Sequence, residues 1–501
     1  MIRQRQLLAA LAGASAFALA LAITEPLGPG LDPDGRSYLF AASTLAHRGA
    51  MLDVRDEWPD ADSLKVFTRW PPAFPVAIAA PMYLGARAVQ GARLVMALSA
   101  ALTFALLAWL LSGVVGQRAA MASLALLAVA PPIVIVHESV LSEPMFFAAI
   151  VLALAMMARE RATPLASGVC AALASMVRYA GLGIVGAVVL WEFARRGSAR
   201  ERITRAVLAT APALVVNAWW WVRAAHAGGR SAVRVFKVYG EFGPTFTEGG
   251  VTTAAWLAPG IGLPWGGVVA AGVAIALGTL VWLGIRRAAR ESEEITRMIR
   301  AAALLAAGYG GLVLAARVIA DPDIPLDERL LAPAILLVTI VAALATAVWW
   351  RAATRRGRAL AGAAFVAWAI ASIWVTAGSV REALGTGNDY ADRCWVESPV
   401  TQWVRDHGAG HEIVSNASVA IYFQAGRLAR QMADDDIIPD SAQMFVDTLR
   451  ARRAVVALYD RSCAPTIEQP DSLVAQLQLQ LVERFPTGSI WMAPEKTGAP
   501  R

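Results

Sequence analysis

The chain of 501 residues predicts a polytopic α-helical membrane protein with a small α/β domain at its C-terminus, and three observations carry that prediction. Hydrophobic residues make up 57% of the sequence and mean hydropathy is +0.52. Apolar runs such as LALLAVAPPIVIV and AILLVTIVAALATAVWW approach the roughly 20 residues that cross a bilayer core. After Val380 the composition turns polar and apolar residues alternate over short segments, as in half-buried strands and amphipathic helices. Net charge is +7 and the pI about 9.6, but the basic residues fall in short clusters between apolar runs, where positive-inside topology puts them. Nucleic acid is therefore excluded as a partner, and the lipid bilayer is the expected one.

The elements follow in order. Arg3 and Arg5 precede an apolar helix from Leu7 to Ile23, with small residues near Ala20 that mimic a signal cleavage site. The run Phe74 to Leu84 is too short to span and carries Pro75 and Pro81, so it reads as interfacial or re-entrant. Spans are expected over Leu94 to Val115, Ala119 to Val136 and Leu141 to Met157, then a half-length pair, Leu165 to Val177 and Leu182 to Phe193. Five more follow: Ile203 to Val222, Leu263 to Ile285, Met298 to Ile319, Leu330 to Trp350 and Leu360 to Val380. This gives about eleven transmembrane helices and puts Arg118, Arg159, Arg161 and the clusters Arg195 to Arg205, Arg286 to Arg300 and Arg351 to Arg358 in the cytoplasm with the N-terminus.

The outer face then receives the loop 24–90, the tip His137-Glu138-Ser139, which reads as surface, the loops Arg223 to Gly262 and Asp321 to Arg329, and everything after Val380. Two domains result, a membrane domain over 1–380 and an extracytoplasmic α/β domain over 381–501. In the tail EIVSN, AVVALYD and LQLVERF read as strands, and SPVTQWVRDH, SAQMFVDTLRARR and PDSLVAQLQ as helices. Cys394 and Cys463 both lie there, either as a disulfide or as two thiols, since spacing cannot show proximity; Cys170 lies in a membrane segment.

The residues that could carry chemistry gather on the outer face. Asp32 and Asp34 stand where the first helix leaves the bilayer, and ionisable groups at such a place read as functional. Asp34 is followed by Tyr38 and by Pro71-Pro72 and Pro75. Further on come Ser142-Glu143-Pro144 opening a helix, Arg178-Tyr179 between the half-length helices, and Asp327-Glu328-Arg329 with Pro333 beyond. In this order the motifs resemble the GT-C class of membrane glycosyltransferases, which use polyprenyl-phosphate sugars, and the resemblance covers most of Met1 to Val380.

The resemblance implies an inverting transfer of one sugar from a polyprenyl-phosphate donor to a lipid, glycan or protein acceptor at the outer side of a bacterial cytoplasmic (inner) membrane. Asp34 would be the base that takes the acceptor proton. Arg329 and Arg178 would meet the lipid phosphate, guanidinium being suited to two phosphate oxygens. Some members carry a lysine directly before the Pro-Pro pair; here Trp70 stands there, leaving Arg69 or Lys65 as substitutes. Asp32, Tyr38, Glu143, Tyr179 and Lys237 are supporting candidates. No cofactor is expected; a divalent cation shared by Asp32 and Asp34 on one face of an extended segment is the alternative.

Plainer readings stand beside these. Asp34 and Glu143 both suit helix starts, Arg329 and Trp70 suit interfacial anchors, and the loop containing Arg234, Lys237, Tyr239 and Glu241 is either a substrate cover or a connector. A lipid-carrier flippase or transporter is the rival function, supported by the half-length helices; a scaffold lacking activity is the third.

Overall fold

A computed structural model describes residues 2–25, 27–53, 64–227, 237–240, 242–262, 264–432, 439–461, 463, 474 and 477–494, with the backbone alone over 439–443. Arg234, Glu241 and most of the predicted PDSLVAQLQ helix lie outside them. The chain forms two compact units, one of residues 1–23 and 68–381, the other of 24–67 and 382–501.

The first unit takes α1 (Ile2–Ala22) and, after the α2 helix (Pro33–Arg48) of the second unit, α3 (Ala73–Met82), α4 (Ala88–Val114), α5 (Gln117–Ala128), α6 (Pro131–Ile135), α7 (Glu143–Ala158), α8 (Pro164–Val177), α9 (Leu182–Ala194), α10 (Ala199–His226), α11 (Phe242–Leu257), α12 (Trp265–Glu291), α13 (Glu293–Ile319), α14 (Glu328–Ala352) and α15 (Arg355–Gly385). Among the described residues six, namely α1, α4, α12, α13, α14 and α15, are long and apolar enough to cross a bilayer, and shorter apolar helices accompany them. The chain is a multi-pass membrane protein. The helix α7 is apolar all round, with Phe146, Phe147, Ile150 and Leu154 inaccessible, and it touches α4, α8, α9, α13 and α14. A helix without a polar face belongs in the middle of a bundle.

One predicted span is interrupted and the half-length pair is parted where the sequence parts it, each for a local reason. The segment Ala119 to Val136 becomes α5 and α6, parted at Ala130 (φ −69°, ψ 118°) ahead of Pro131 and Pro132; the residue before a proline avoids the helical region. Between α8 and α9 the chain goes extended at Arg178 (φ −146°, ψ 141°) and turns through a 3-10 helix, Tyr179–Gly181. A Cβ at Gly181 would overlap the Ala174 backbone, so the turn packs back on the end of α8 only with glycine there. Small residues also let α9 and α13 meet, since a Cβ at either Gly183 or Gly308 would overlap the other's carbonyl oxygen; close backbone approach of this kind is a usual way to pack helices where water gives no drive.

In the second unit α2 precedes an antiparallel pair, β1 (Leu52–Asp53) with β2 (Lys65–Val66). The C-terminal part holds α16 (Arg393–Glu397), α17 (Pro399–His407), β3 (Ile413–Ser415), α18 (Ser418–Ala420), β4 (Ala429–Gln431), α19 (Pro439–Ala451), β5 (Val455–Tyr459), β6 (Gln480–Phe485) and β7 (Gly488–Met492). The sheet order is β4-β3-β5-β7-β6, parallel across β4, β3 and β5 and antiparallel beyond. The three strands read from sequence are β3, β5 and β6; β4 and β7 are additional, three and five residues long. Cys394 and Cys463 form a disulfide with Cα atoms 5.3 Å apart. The start of α2 is stitched to this domain by a bridge between Leu31 and Asp389 and by Tyr390 N–H donating to Leu31 O at 3.2 Å, and Phe40 packs edge-on to Tyr422 with ring centroids 5.9 Å apart.

Candidate active site

The first unit brings three of the sequence-derived residues together. Glu143 is the first residue of α7, followed by Pro144, whose missing N–H costs nothing in a first turn. Its side chain is wholly inaccessible. Arg329 Nε lies 2.5 Å from Glu143 Oε1 and Arg178 Nη1 lies 2.6 Å from the same oxygen. Arg178 Nη1 also donates to Ser142 Oγ at 3.1 Å. The three side chains come from separate elements: the start of α7, the extended break before α9, and the first turn of α14.

Each guanidinium is held from its own side. Asp327 caps α14, its Oδ1 accepting from Leu330 N–H at 2.8 Å, and Tyr309 of α13 donates through Oη to Leu330 O at 2.6 Å. Arg178 is carried by the break between half-length helices. The arginines keep 15% and 26% of their side chains exposed, so the cluster of two guanidinium groups on one buried carboxylate has an accessible edge. Glu143 Oε2 is buried and has no hydrogen-bond partner among the described residues. Tyr309 is a cluster neighbour that sequence reading passed over; the one signal was a tyrosine inside an otherwise apolar, glycine-rich span.

The other candidates of this unit lie as follows. Tyr179 Oη donates to Thr68 O at 3.4 Å and accepts from Trp220 Nε1 at 3.0 Å. Arg69 is exposed and sits over the Trp70 ring, 5.4 Å from its centroid. Lys237 Nζ lies 4.7 Å from the Tyr239 ring centroid while its N–H donates to Ile319 O at 3.1 Å. The tip His137-Glu138, expected at the surface, is buried at 6% and 4% exposure. Their polar groups find partners there: Glu138 accepts from Ser379 Oγ of α15 at 2.8 Å, and His137 Nδ1 is 2.7 Å from Ile133 O. Burial pushes the His137 imidazole down to about 4, against the pull of that carbonyl.

In the second unit Asp32 and Asp34 stand at the start of α2, Asp32 just before it and Asp34 in its first turn, and not together on an extended segment. Asp32 is the cap, accepting from Gly35 N–H at 2.5 Å, with Pro33 next. Asp34 is half-buried in the first turn, where the helix dipole favours a negative charge. Tyr38, one turn on, is 2% exposed. Lys65 is exposed on β2, paired in register with Asp53. Among the described residues no group of three or more His, Cys, Asp or Glu is arranged to hold a metal ion.

No family model matches the sequence, and no curated protein does. Solved structures do. ArnT from Cupriavidus metallidurans bound to undecaprenyl phosphate superposes with a TM-score of 0.61 at 12% identity, over 98% of this chain and 99% of that one. The arabinofuranosyltransferase AftD from Mycobacteria gives 0.54 at 16% identity over 97% of this chain and 41% of its own. The oligosaccharyltransferase AglB from Archaeoglobus fulgidus, in complex with an inhibitory peptide and a dolichol-phosphate, gives 0.51 at 13% identity over 97% and 75%. These are GT-C glycosyltransferases, and the chain shares their fold.

Proposed function

We propose that the protein is a membrane glycosyltransferase that moves one sugar from a polyprenyl-phosphate carrier to the hydroxyl of a lipid, glycan or protein acceptor on the outer side of a bacterial cytoplasmic membrane. The observation that carries this reading is the convergence of Arg178 and Arg329 on one buried oxygen of Glu143. Such a cluster suits a lipid phosphate, since guanidinium groups with exposed edges can each offer two donors to phosphate oxygens. The half-length helices, which favour a transporter in sequence, gain a use here, because their break is what carries Arg178.

In the proposed step the acceptor oxygen attacks the anomeric carbon from the face opposite the phosphate. The new C–O bond forms as the bond from that carbon to the phosphate oxygen breaks, with inversion. The acceptor proton passes to the Asp34 carboxylate, and the lipid monophosphate leaves against Arg178 and Arg329. The last two supply charge stabilisation where charge develops, a large term in such reactions. Arg69, Lys65, Tyr38, Tyr179 and Lys237 are assigned to support of donor and acceptor.

The test is transfer by wild type, Asp34→Asn and Arg329→Gln in membranes supplied with a panel of radiolabelled polyprenyl-phosphate sugars, with and without a chelator. Transfer of one sugar by wild type, a loss of at least about 10²-fold in Asp34→Asn and indifference to the chelator are expected. Full activity of Asp34→Asn overturns the base; absence of transfer of any sugar overturns the function.

A further inference from the structure

A second charged cluster, which plays no part in the chemistry above, ties the helix α11 to the loop that leads into Arg329. Arg317, in the last turn of α13, is almost inaccessible, and its Nη1 lies 2.6 Å from Glu248 Oε2 of α11 and donates to Ile324 O at 2.6 Å. Glu248 spends its other oxygen on the backbone, Oε1 accepting from Leu326 N–H at 2.7 Å. Four residues on, Thr252 Oγ1 donates to Leu326 O at 2.7 Å. Both peptide groups of Leu326 are thus held by α11. The next residue is Asp327, the cap of α14, and Arg329 follows it. Leu326 itself is 1% exposed, and a Cβ at Gly249 would lie 3.8 Å from Leu326 Cβ.

Charge explains why this latch needs a carboxylate. Arg317 brings a cation into a nearly dry place, and a buried cation without a counterion is strongly unfavourable. Glu248 neutralises it and at the same time satisfies a loop N–H that would otherwise lose a bond; Arg317 accordingly holds the Glu248 carboxyl below its usual range. One side chain therefore fixes the end of α13, the loop 320–327 and the first turn of α14 relative to α11. The guanidinium of Arg329 reaches Glu143 from that first turn.

We propose that Glu248 is a positioning residue for Arg329, setting the entry to α14 so that Arg329 meets the phosphate of the lipid donor. The role of Arg329 in this statement rests on the proposed function. Loss of the latch lets the first turn of α14 shift, and a displacement near 1 Å is enough to cost up to about 10²-fold. The effect belongs to lipid-phosphate binding and to the donor KM more than to kcat.

The experiment uses the full chain in nanodiscs, in a Cys170→Ala background, with undecaprenyl phosphate as the probe. Glu248→Gln is expected to bind it on the order of tenfold more weakly than the parent, with faster amide exchange over residues 324–330. Adding Gly249→Cys and Leu326→Cys to Glu248→Gln supplies a covalent tether at a Cβ separation that suits a disulfide. The oxidised variant should regain parental affinity and lose it on reduction, the reduced parent accounting for the Cys394–Cys463 bond. Unchanged affinity in Glu248→Gln overturns the proposal, and so does a loss that the tether fails to restore. If the parent itself does not bind undecaprenyl phosphate, the functional reading falls, while unchanged exchange over 324–330 would sink the latch independently.

Discussion

Glu143→Gln isolates the charge at the centre of the cluster, because the amide keeps the volume and one acceptor oxygen. In the protein that oxygen receives two guanidinium groups at 2.5 and 2.6 Å, with the carboxylate fully buried. Hydrogen bonds to a charged partner contribute about 1.5–3 kcal/mol each, and removing one member of a buried ion pair costs about 3–5 kcal/mol. Both arginines keep an exposed edge and regain some hydration when the charge goes, which moves the expectation to the low end. Glu143→Gln should therefore destabilise the first unit by about 3 kcal/mol. The assay is unfolding by dodecyl sulfate in mixed micelles, followed by tryptophan fluorescence. A cycle with Arg329→Gln should give a coupling of at least about 1 kcal/mol between the two positions. A loss under about 1 kcal/mol with no coupling would refute the reasoning, since the cluster would then be no more than a surface pair.

Two further outcomes follow from buried polar groups. His137 has its folded-state pKa depressed from 6.5 to about 4 by burial, so the stability tied to its neutral form is present above pH 6.5 and is lost as pH falls toward 4. The loss amounts to about 3 kcal/mol, and the pH 7 to pH 4.5 difference in melting temperature should shrink in His137→Gln relative to wild type. Asn416, 6% exposed, bridges β3 to β5, donating through Nδ2 to Tyr459 O and accepting at Oδ1 from Tyr459 N–H, each at 2.9 Å. Asn416→Ala should cost about 2–3 kcal/mol, read as earlier loss of protection in β5 by hydrogen exchange. Retained protection there would show that water replaces the amide.

The fold class was legible because apolar length and arginine placement are properties of the sequence itself, and the strands β3 and β5 because each lies in a short apolar run. Helix interruptions were partly legible: Pro131-Pro132 marks the gap between α5 and α6, yet the span Ala119 to Val136 hides it under uniform hydropathy. Glu143, Arg178 and Arg329 were each visible as polar residues at helix edges, but nothing in their spacing says that they share an oxygen. Their meeting depends on the close crossing of α9 with α13 and on the Gly181 turn, both set by backbone approach. For Asp34 the helix start is legible beside the extended alternative, since Pro33 suits a first helical turn, while the cap itself falls to Asp32. Glu248 and Arg317 escaped notice for a simpler reason. A carboxylate in a loop and an arginine near a helix end look solvated until tertiary packing buries one of them.

The charge of Glu143 bears on the proposed reaction through the substrate's own charge. A sugar-phospholipid donor is a diester carrying one negative charge, while the departing monoester approaches two, its second pKa being about 6. Two guanidinium groups with exposed edges gain most as charge develops on the leaving phosphate, which is the difference that accelerates a reaction. Glu143→Gln removes one negative charge from beside the arginines and strengthens the hold on the product. At about 6 Å and an effective dielectric constant near 20, one extra charge is worth about 3 kcal/mol before screening. Salt and the exposed arginine edges reduce this, so undecaprenyl phosphate should bind on the order of tenfold tighter. Geometry opposes the gain only weakly, because Ser142 still holds Arg178 and the α14 cap still holds the turn that carries Arg329. Tighter product binding with a lower kcat, the tightening fading at high salt, is the expected pattern. Weaker binding of undecaprenyl phosphate to Glu143→Gln would mean that Glu143 acts by placing the two arginines and that its charge has no separate part.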